Sequence, residues 1–125
     1  MRVLCGTDLV QIERFERAMS RQGERFLSRL FTARELAQCQ GKSASLAARF
    51  AAKEAIAKAL GTGIGPHQIA WTDLEIVRQD SGQPTVELHA AAARFYAALG
   101  GQSIAISLTH EQNLAQAFCV LLIQD

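Results

Sequence analysis

The stretch from Ser45 to Gly65, SLAARFAAKEAIAKALGTGIG, limits the possible folds more than any other part of the chain. Nearly every residue up to Leu60 is a good helix former, which predicts a helix, and Gly61 supplies a residue able to turn left-handed at its end. On a helical projection Leu46, Phe50, Ile56, Ala57 and Leu60 share one arc, with Ala48, Ala51, Ala52, Ala55 and Ala59 opposite. A helix that is apolar or small all round is one that the rest of the chain encloses. Yet it carries Arg49, Lys53, Glu54 and Lys58. Arg49 and Lys53 project within the apolar arc as a like-charged i,i+4 pair, while Glu54 and Lys58 form a favourable one. Enclosed charges need partners. Either Glu54–Lys58 is a surface ion pair and the other two cations snorkel outward, or the helix carries a site.

The rest of the composition narrows the choice by exclusion. A chain of 125 residues is long enough for one domain with a real core. A net charge of +1 excludes a dominating electrostatic field, so nucleic acid is not an expected partner. No apolar run approaches membrane-spanning length, no signal peptide is read at the N-terminus, and neither repeats nor low-complexity linkers occur. Cys5, Cys39 and Cys119 have no ligand-like spacing and are expected to be small buried residues in a reducing cytoplasm.

Val3 to Val10 reads as a first strand. Aspartate is a poor strand residue, so Asp8 is either part of a site or the cap of the next helix, with Gln11 completing a capping box. That helix would bury Ile12, Phe15 and Met19. Arg14, Arg17, Arg21 and Arg25 would form a stripe if the helix were unbroken, but Gly23 is expected to interrupt it. The stripe is either a solvated face or a dock for an acidic partner helix. Thr32 and Glu35 form a capping box for a helix running to about Gln40, with Phe31 as a possible staple. The glycines of Gly61-Thr-Gly63-Ile-Gly65 follow a helix instead of opening one, so they lack the arrangement of a phosphate-binding loop; they still permit close approach of a ligand. Ala70–Val77 and Thr85–Leu88 read as a hairpin around Asp80–Pro84. A helix over Ala90–Leu99 follows, then strands over Ile104–Leu108 and Ala115–Ile123 around a turn at Thr109–Asn113. The expected fold is α+β, with a mainly antiparallel sheet packed on one long central helix.

Four separated segments share one pattern: Gly6-Thr-Asp8-Leu-Val10; Arg49-Phe-Ala-Ala-Lys-Glu54 with Lys58-Ala-Leu-Gly-Thr-Gly63; Gly82-Gln-Pro84; and Ser107-Leu-Thr-His110. In this order and spacing the chain resembles the holo-acyl-carrier-protein synthases, the small bacterial 4′-phosphopantetheinyl transferases, over nearly its whole length. The resemblance implies a single transferase domain over residues 1–125. It also implies transfer of the phosphopantetheine arm of coenzyme A to a serine of apo acyl carrier protein in fatty acid biosynthesis, with release of adenosine 3′,5′-bisphosphate. By the same resemblance, Asp8 and Glu54 hold Mg²⁺, Lys58 contacts phosphate, and Arg49, Gly61, Gly63, Pro84 and His110 serve the coenzyme A site. Arg14, Arg21 and Arg25 then dock the carrier protein. A cytoplasmic homotrimer with sites at subunit interfaces is implied too. Ala57 stands where some relatives have serine, Cys5 where they have an aliphatic residue read here as packing, and His110 is not universal among them.

The residue types suit that chemistry. Mg²⁺ takes one or two carboxylates, phosphate oxygens and water. With the metal on Glu54 and phosphates on Lys58 and Arg49, the charges of the helix would be matched. Glu54, directly or through a metal-bound water, is the expected base for the serine proton, with Asp8 as competitor. A trimeric binding module without turnover and a Mg²⁺-dependent nucleotide hydrolase are the alternatives from other classes.

Overall fold

The computed structural model describes residues 1–125. In chain order the elements are β1 (Arg2–Gln11), α1 (Ile12–Leu30), α2 (Ala33–Cys39), α3 (Ser43–Leu60), β2 (Leu74–Arg78), β3 (Pro84–Leu88), α4 (Ala90–Leu99), β4 (Gly101–Glu111) and β5 (Leu114–Ile123). The architecture is the α+β arrangement read from the sequence, with α3 at its centre. Strands β1, β5 and β4 form one antiparallel sheet in that order, and β2 and β3 form a separate hairpin.

Helix α3 is enclosed as its composition requires, with twelve of its eighteen residues buried. It packs along β1 and β5 on one side and meets α1, α2 and β2 on others. The sheet's inner face carries Ala115, Ala117, Cys119, Leu121 and Ile123 of β5, all nearly inaccessible. Small residues on both surfaces let sheet and helix approach closely. Gly6 is the extreme case: a Cβ there would lie 2.1 Å from the carbonyl oxygen of Ala55 and 2.8 Å from the amide nitrogen of Ala59. Only glycine fits where the β1 main chain meets the α3 main chain. At the far end Gly61 caps α3 at φ 82°, as expected.

Pairing of Gly6 with Cys119 and of Asp8 with Ala117 places Asp8 on the same inner face two residues further along β1. Asp8 therefore does not cap α1. The first amides of that helix are taken instead by the β4–β5 turn: Ile12 N donates to Asn113 O and Glu13 N to Asn113 Oδ1, each at 2.8 Å. Helix α1 buries Phe15, half-buries Ile12 and Met19, and breaks at Gly23 (φ 72°, ψ −157°). The Thr32–Glu35 capping box is present at the start of α2.

Three expectations need correction. The strand expected from Ala70 begins at Leu74, because Trp71–Asp73 forms a 3₁₀ turn in which the Asp73 carboxylate accepts the Ala70 amide. Strands β4 and β5 extend until only Gln112 and Asn113 lie between them, so His110 sits in a strand instead of a turn. Cys39 and Cys119 are buried, whereas Cys5 is exposed, because its place in the β1 alternation points it to the outer sheet face.

Candidate active site

Two of the four charges on α3 have structural partners. The Lys53 ammonium is fully buried and donates to Glu35 Oε1 at 2.8 Å and to Trp71 O at 2.9 Å. It also lies 5.4 Å from the centre of the Phe31 ring. Burial lowers its pKa, and the adjacent Glu35 carboxylate opposes that shift. Arg49 is buried too, donating through Nη1 to Ile76 O at 2.8 Å and through Nη2 to Gln38 Oε1 at 2.9 Å. The like-charged Arg49–Lys53 pair is thus relieved by protein groups and needs no anion between them.

The expected Glu54–Lys58 ion pair is replaced by another. Lys58 Nζ donates to Thr7 O at 2.9 Å and to Asp8 Oδ1 at 3.2 Å. The close approach at Gly6 brings β1 within reach of the Lys58 stem. Glu54 remains half-buried without a hydrogen-bonded cation, and its pKa is raised, first by burial and then by the neighbouring Asp8 charge, with Lys58 acting in the opposite sense.

Asp8, Glu54, Lys58 and Arg14 line one cleft of about 730 Å³ whose walls include Phe15, Phe26 and Phe50. Two carboxylates converge there, and only Asp8 is hydrogen-bonded to a cation, which leaves Glu54 available to a hard divalent cation with oxygen ligands. No group of three or more His, Cys, Asp or Glu is placed to hold a metal. An ion here would complete its shell from water and a bound anion, the habit of Mg²⁺.

Arg49, Pro84 and His110 meet elsewhere, in a second cavity of about 290 Å³ that Arg78 and Gly82 also line. The residues expected at one site therefore occupy two cavities in a single chain. Gly61 and Gly63 line neither, and the backbone beside each is open. Of the arginine stripe only Arg14 reaches the first cleft; Arg21 and Arg25 are exposed on either side of the Gly23 break. The sequence reading missed Arg78, Gln38 and the bonds of Glu35 to Lys53 and Ile76. The only signal for Glu35 and Gln38 was their i,i+3 spacing on one face of a capped helix.

The model of the 4′-phosphopantetheinyl transferase superfamily matches residues 4–119. The chain is 45% identical to a holo-[acyl-carrier-protein] synthase of Alkalilimnicola ehrlichii, with all of both chains covered. It is 41% identical to that of Ruminiclostridium cellulolyticum, covering all of this chain and 96% of the relative. Among solved structures it is similar to the Helicobacter pylori holo-[acyl-carrier-protein] synthase in complex with coenzyme A, with a TM-score of 0.87 and 32% identity over 95% of this chain and 100% of that one. The synthase–coenzyme A complex from Chronobacterium ammoniagenes gives a TM-score of 0.88 at 30% identity, with both chains fully covered.

Proposed function

The chain belongs to the 4′-phosphopantetheinyl transferase superfamily, and from that premise we propose how its two cavities divide the reaction. The enzyme transfers the 4′-phosphopantetheine arm of coenzyme A to a serine of an apo carrier protein for fatty acid biosynthesis, and Mg²⁺ is its cofactor. The serine oxygen forms a bond to the phosphorus bearing pantetheine, the bond from that phosphorus to the second phosphate breaks, and adenosine 3′,5′-bisphosphate leaves.

Residues 1–125 act as one transferase domain. Asp8 and Glu54 hold Mg²⁺ in the first cleft. When bound, the metal neutralises charge on the diphosphate oxygens. Lys58, already turned toward Asp8, supplies a second cation for those oxygens. Glu54 takes the serine proton, directly or through water. Arg49, Pro84 and His110 take the nucleotide end of coenzyme A in the second cavity, while the glycines at Gly61 and Gly63 leave room for its approach. Arg14, Arg21 and Arg25 present positive charge to an acidic helix of the acyl carrier protein. The observation that carries this reading is the meeting of Asp8, Glu54 and Lys58 in one cleft, with Lys58 bonded to Asp8 and Glu54 left without a hydrogen-bonded cation.

A homotrimer would join the first cleft of one subunit to the second cavity of its neighbour. The outer face of the three-stranded sheet supports this reading, since Val3, Leu9, Leu114 and Phe118 expose 66, 59, 44 and 46% of their surface there. Light scattering should return three times the 13.6 kDa of one chain; a monomeric mass would remove the shared site. No helix is long and apolar enough to cross a membrane, and we place the enzyme in the cytoplasm with its carrier.

One assay tests the function. The protein is mixed with apo acyl carrier protein, coenzyme A and Mg²⁺, and the carrier's mass is followed. Gain of the phosphopantetheine arm, lost on chelation of the metal, is the expected result. Coenzyme A binding without a mass change, or its cleavage without carrier modification, would replace the transferase by a binding module or a hydrolase.

A further inference from the structure

Strand β2 pairs with β3 along one edge, and side chains pair its other edge. Ile76 N donates to Glu35 Oε2 at 3.0 Å, and Ile76 O accepts from Arg49 Nη1 at 2.8 Å. Two residues on, Arg78 N donates to Gln38 Oε1 at 3.0 Å, and Arg78 O accepts from Gln38 Nε2 at 3.1 Å. The same Gln38 Oε1 accepts from Arg49 Nη2 at 2.9 Å. An amide oxygen has two lone pairs, and both are in use. Arg78 faces Pro84 in the hairpin register. One side chain on α2 thus ties the Arg49 guanidinium on α3 to the hairpin end that carries Gly82 and Pro84, all of which line the second cavity.

We infer that Gln38 is a positioning residue for the coenzyme A end of the reaction. It holds the Arg49 guanidinium and the Arg78–Pro84 end of the hairpin at a set separation, so that the cavity meets its ligand already shaped. Without the Gln38 oxygen, one Arg49 N–H loses its partner and the guanidinium can swing. Without the amide, Arg78 O loses its donor and the hairpin end is freed. This role rests on the assignment of the second cavity to coenzyme A.

Gln38→Met keeps the length of the side chain and removes all three hydrogen bonds. It should raise the KM for coenzyme A about tenfold, with kcat within about twofold and the KM for carrier protein unchanged. A role in stability alone would lower the amount of active enzyme and leave the KM for coenzyme A where it was. In an Arg49→Ala background, Gln38→Met should raise the KM for coenzyme A less than it does alone, because the part of its effect that passes through Arg49 is already removed. Full additivity, or an unchanged KM for coenzyme A in the folded single variant, would overturn the role. Should Gln38→Met not fold, calorimetric titration of coenzyme A into Gln38→Asn, whose amide is one methylene short of these partners, should show a comparable loss, and wild-type affinity there would equally overturn it. Failure of the wild-type protein to bind coenzyme A would instead remove the cavity assignment, a result distinct from normal binding by wild type and variants alike.

Discussion

Helix α3 sends charges in two directions, and the two neighbourhoods end in opposite states. Toward β2, Arg49 and Lys53 meet Glu35, Gln38 and main-chain carbonyls, and no buried side-chain polar atom lacks a hydrogen bond. Toward β1, Glu54 and Asp8 share one cleft with Lys58 and Arg14, and Glu54, left without a hydrogen-bonded cation, holds its proton more tightly than an ordinary carboxyl. The buried charges are those toward β2; Glu54 is only half-buried and Lys58 is exposed. What separates them is pairing: the charges toward β2 are matched by protein hydrogen bonds, whereas Glu54 toward β1 has no hydrogen-bonded partner. Burial of a charge is therefore a poor marker of function, and an unmatched charge is a better one.

The contrast can be broken most sharply at Glu54. Glu54→Gln should lower phosphopantetheine transfer by about 10³-fold while leaving the circular dichroism spectrum unchanged. Near-normal turnover would make Glu54 as structural as Lys53 and Glu35. Lys53→Met should act the other way, costing about 3–5 kcal/mol of stability by stranding the Glu35 carboxylate. Specific activity per folded molecule should survive, and adding Glu35→Gln should recover part of the loss. Denaturant titration reads both effects, and a catalytic defect in folded Lys53→Met would erase the distinction.

Arg14 sharpens the boundary of the cleft. Arg14→Glu should raise the KM for carrier protein about tenfold at low ionic strength, fading as salt is added, with coenzyme A binding unchanged. Arg25→Glu, beyond the break at Gly23, should do less. Unchanged carrier kinetics in both would move the dock elsewhere.

The smallest effect belongs to the periphery of the matched side. Hydrogen bonds from Arg34 above all, helped by Thr32 and His89, hold the Glu75 carboxyl down from 4.5 to about 2. A depressed carboxyl contributes stability above its unfolded value, and that contribution is lost as the pH falls from about 4.5 toward 2. Glu75→Gln should flatten the acid limb of the unfolding curve in that window, with little change in activity at neutral pH. An acid limb as steep as that of wild type would remove Glu75 from the matched network.

Much of this was legible because it is local. The α3 helix with its Gly61 end, the Thr32–Glu35 box, the break at Gly23 and the α4 helix each depend on residues a few positions apart. Asp8 was legible only as a choice between cap and site, because the deciding fact is its pairing with Ala117, more than a hundred residues away. Asn113 caps α1 across a similar gap. Glu35 read correctly as a capping residue, yet its second oxygen serves Ile76, and Lys58 turned from Glu54 to Asp8. In each case a tertiary partner outcompeted or extended the local one. The resemblance named candidate site residues, but their division between two cavities required the backbone.

At Gly6 the spacing between sheet and helix is set by main chain against main chain, with no side chain to act as a compressible washer. Every single-base replacement of that glycine adds at least a methyl group, so the position can hardly drift by small steps. Repacking elsewhere in the core can cost stability long before it alters the gap across which Asp8 and Lys58 meet. The active cleft is gauged by the peptide backbone itself, and its dimensions should vary less than the residues that line it.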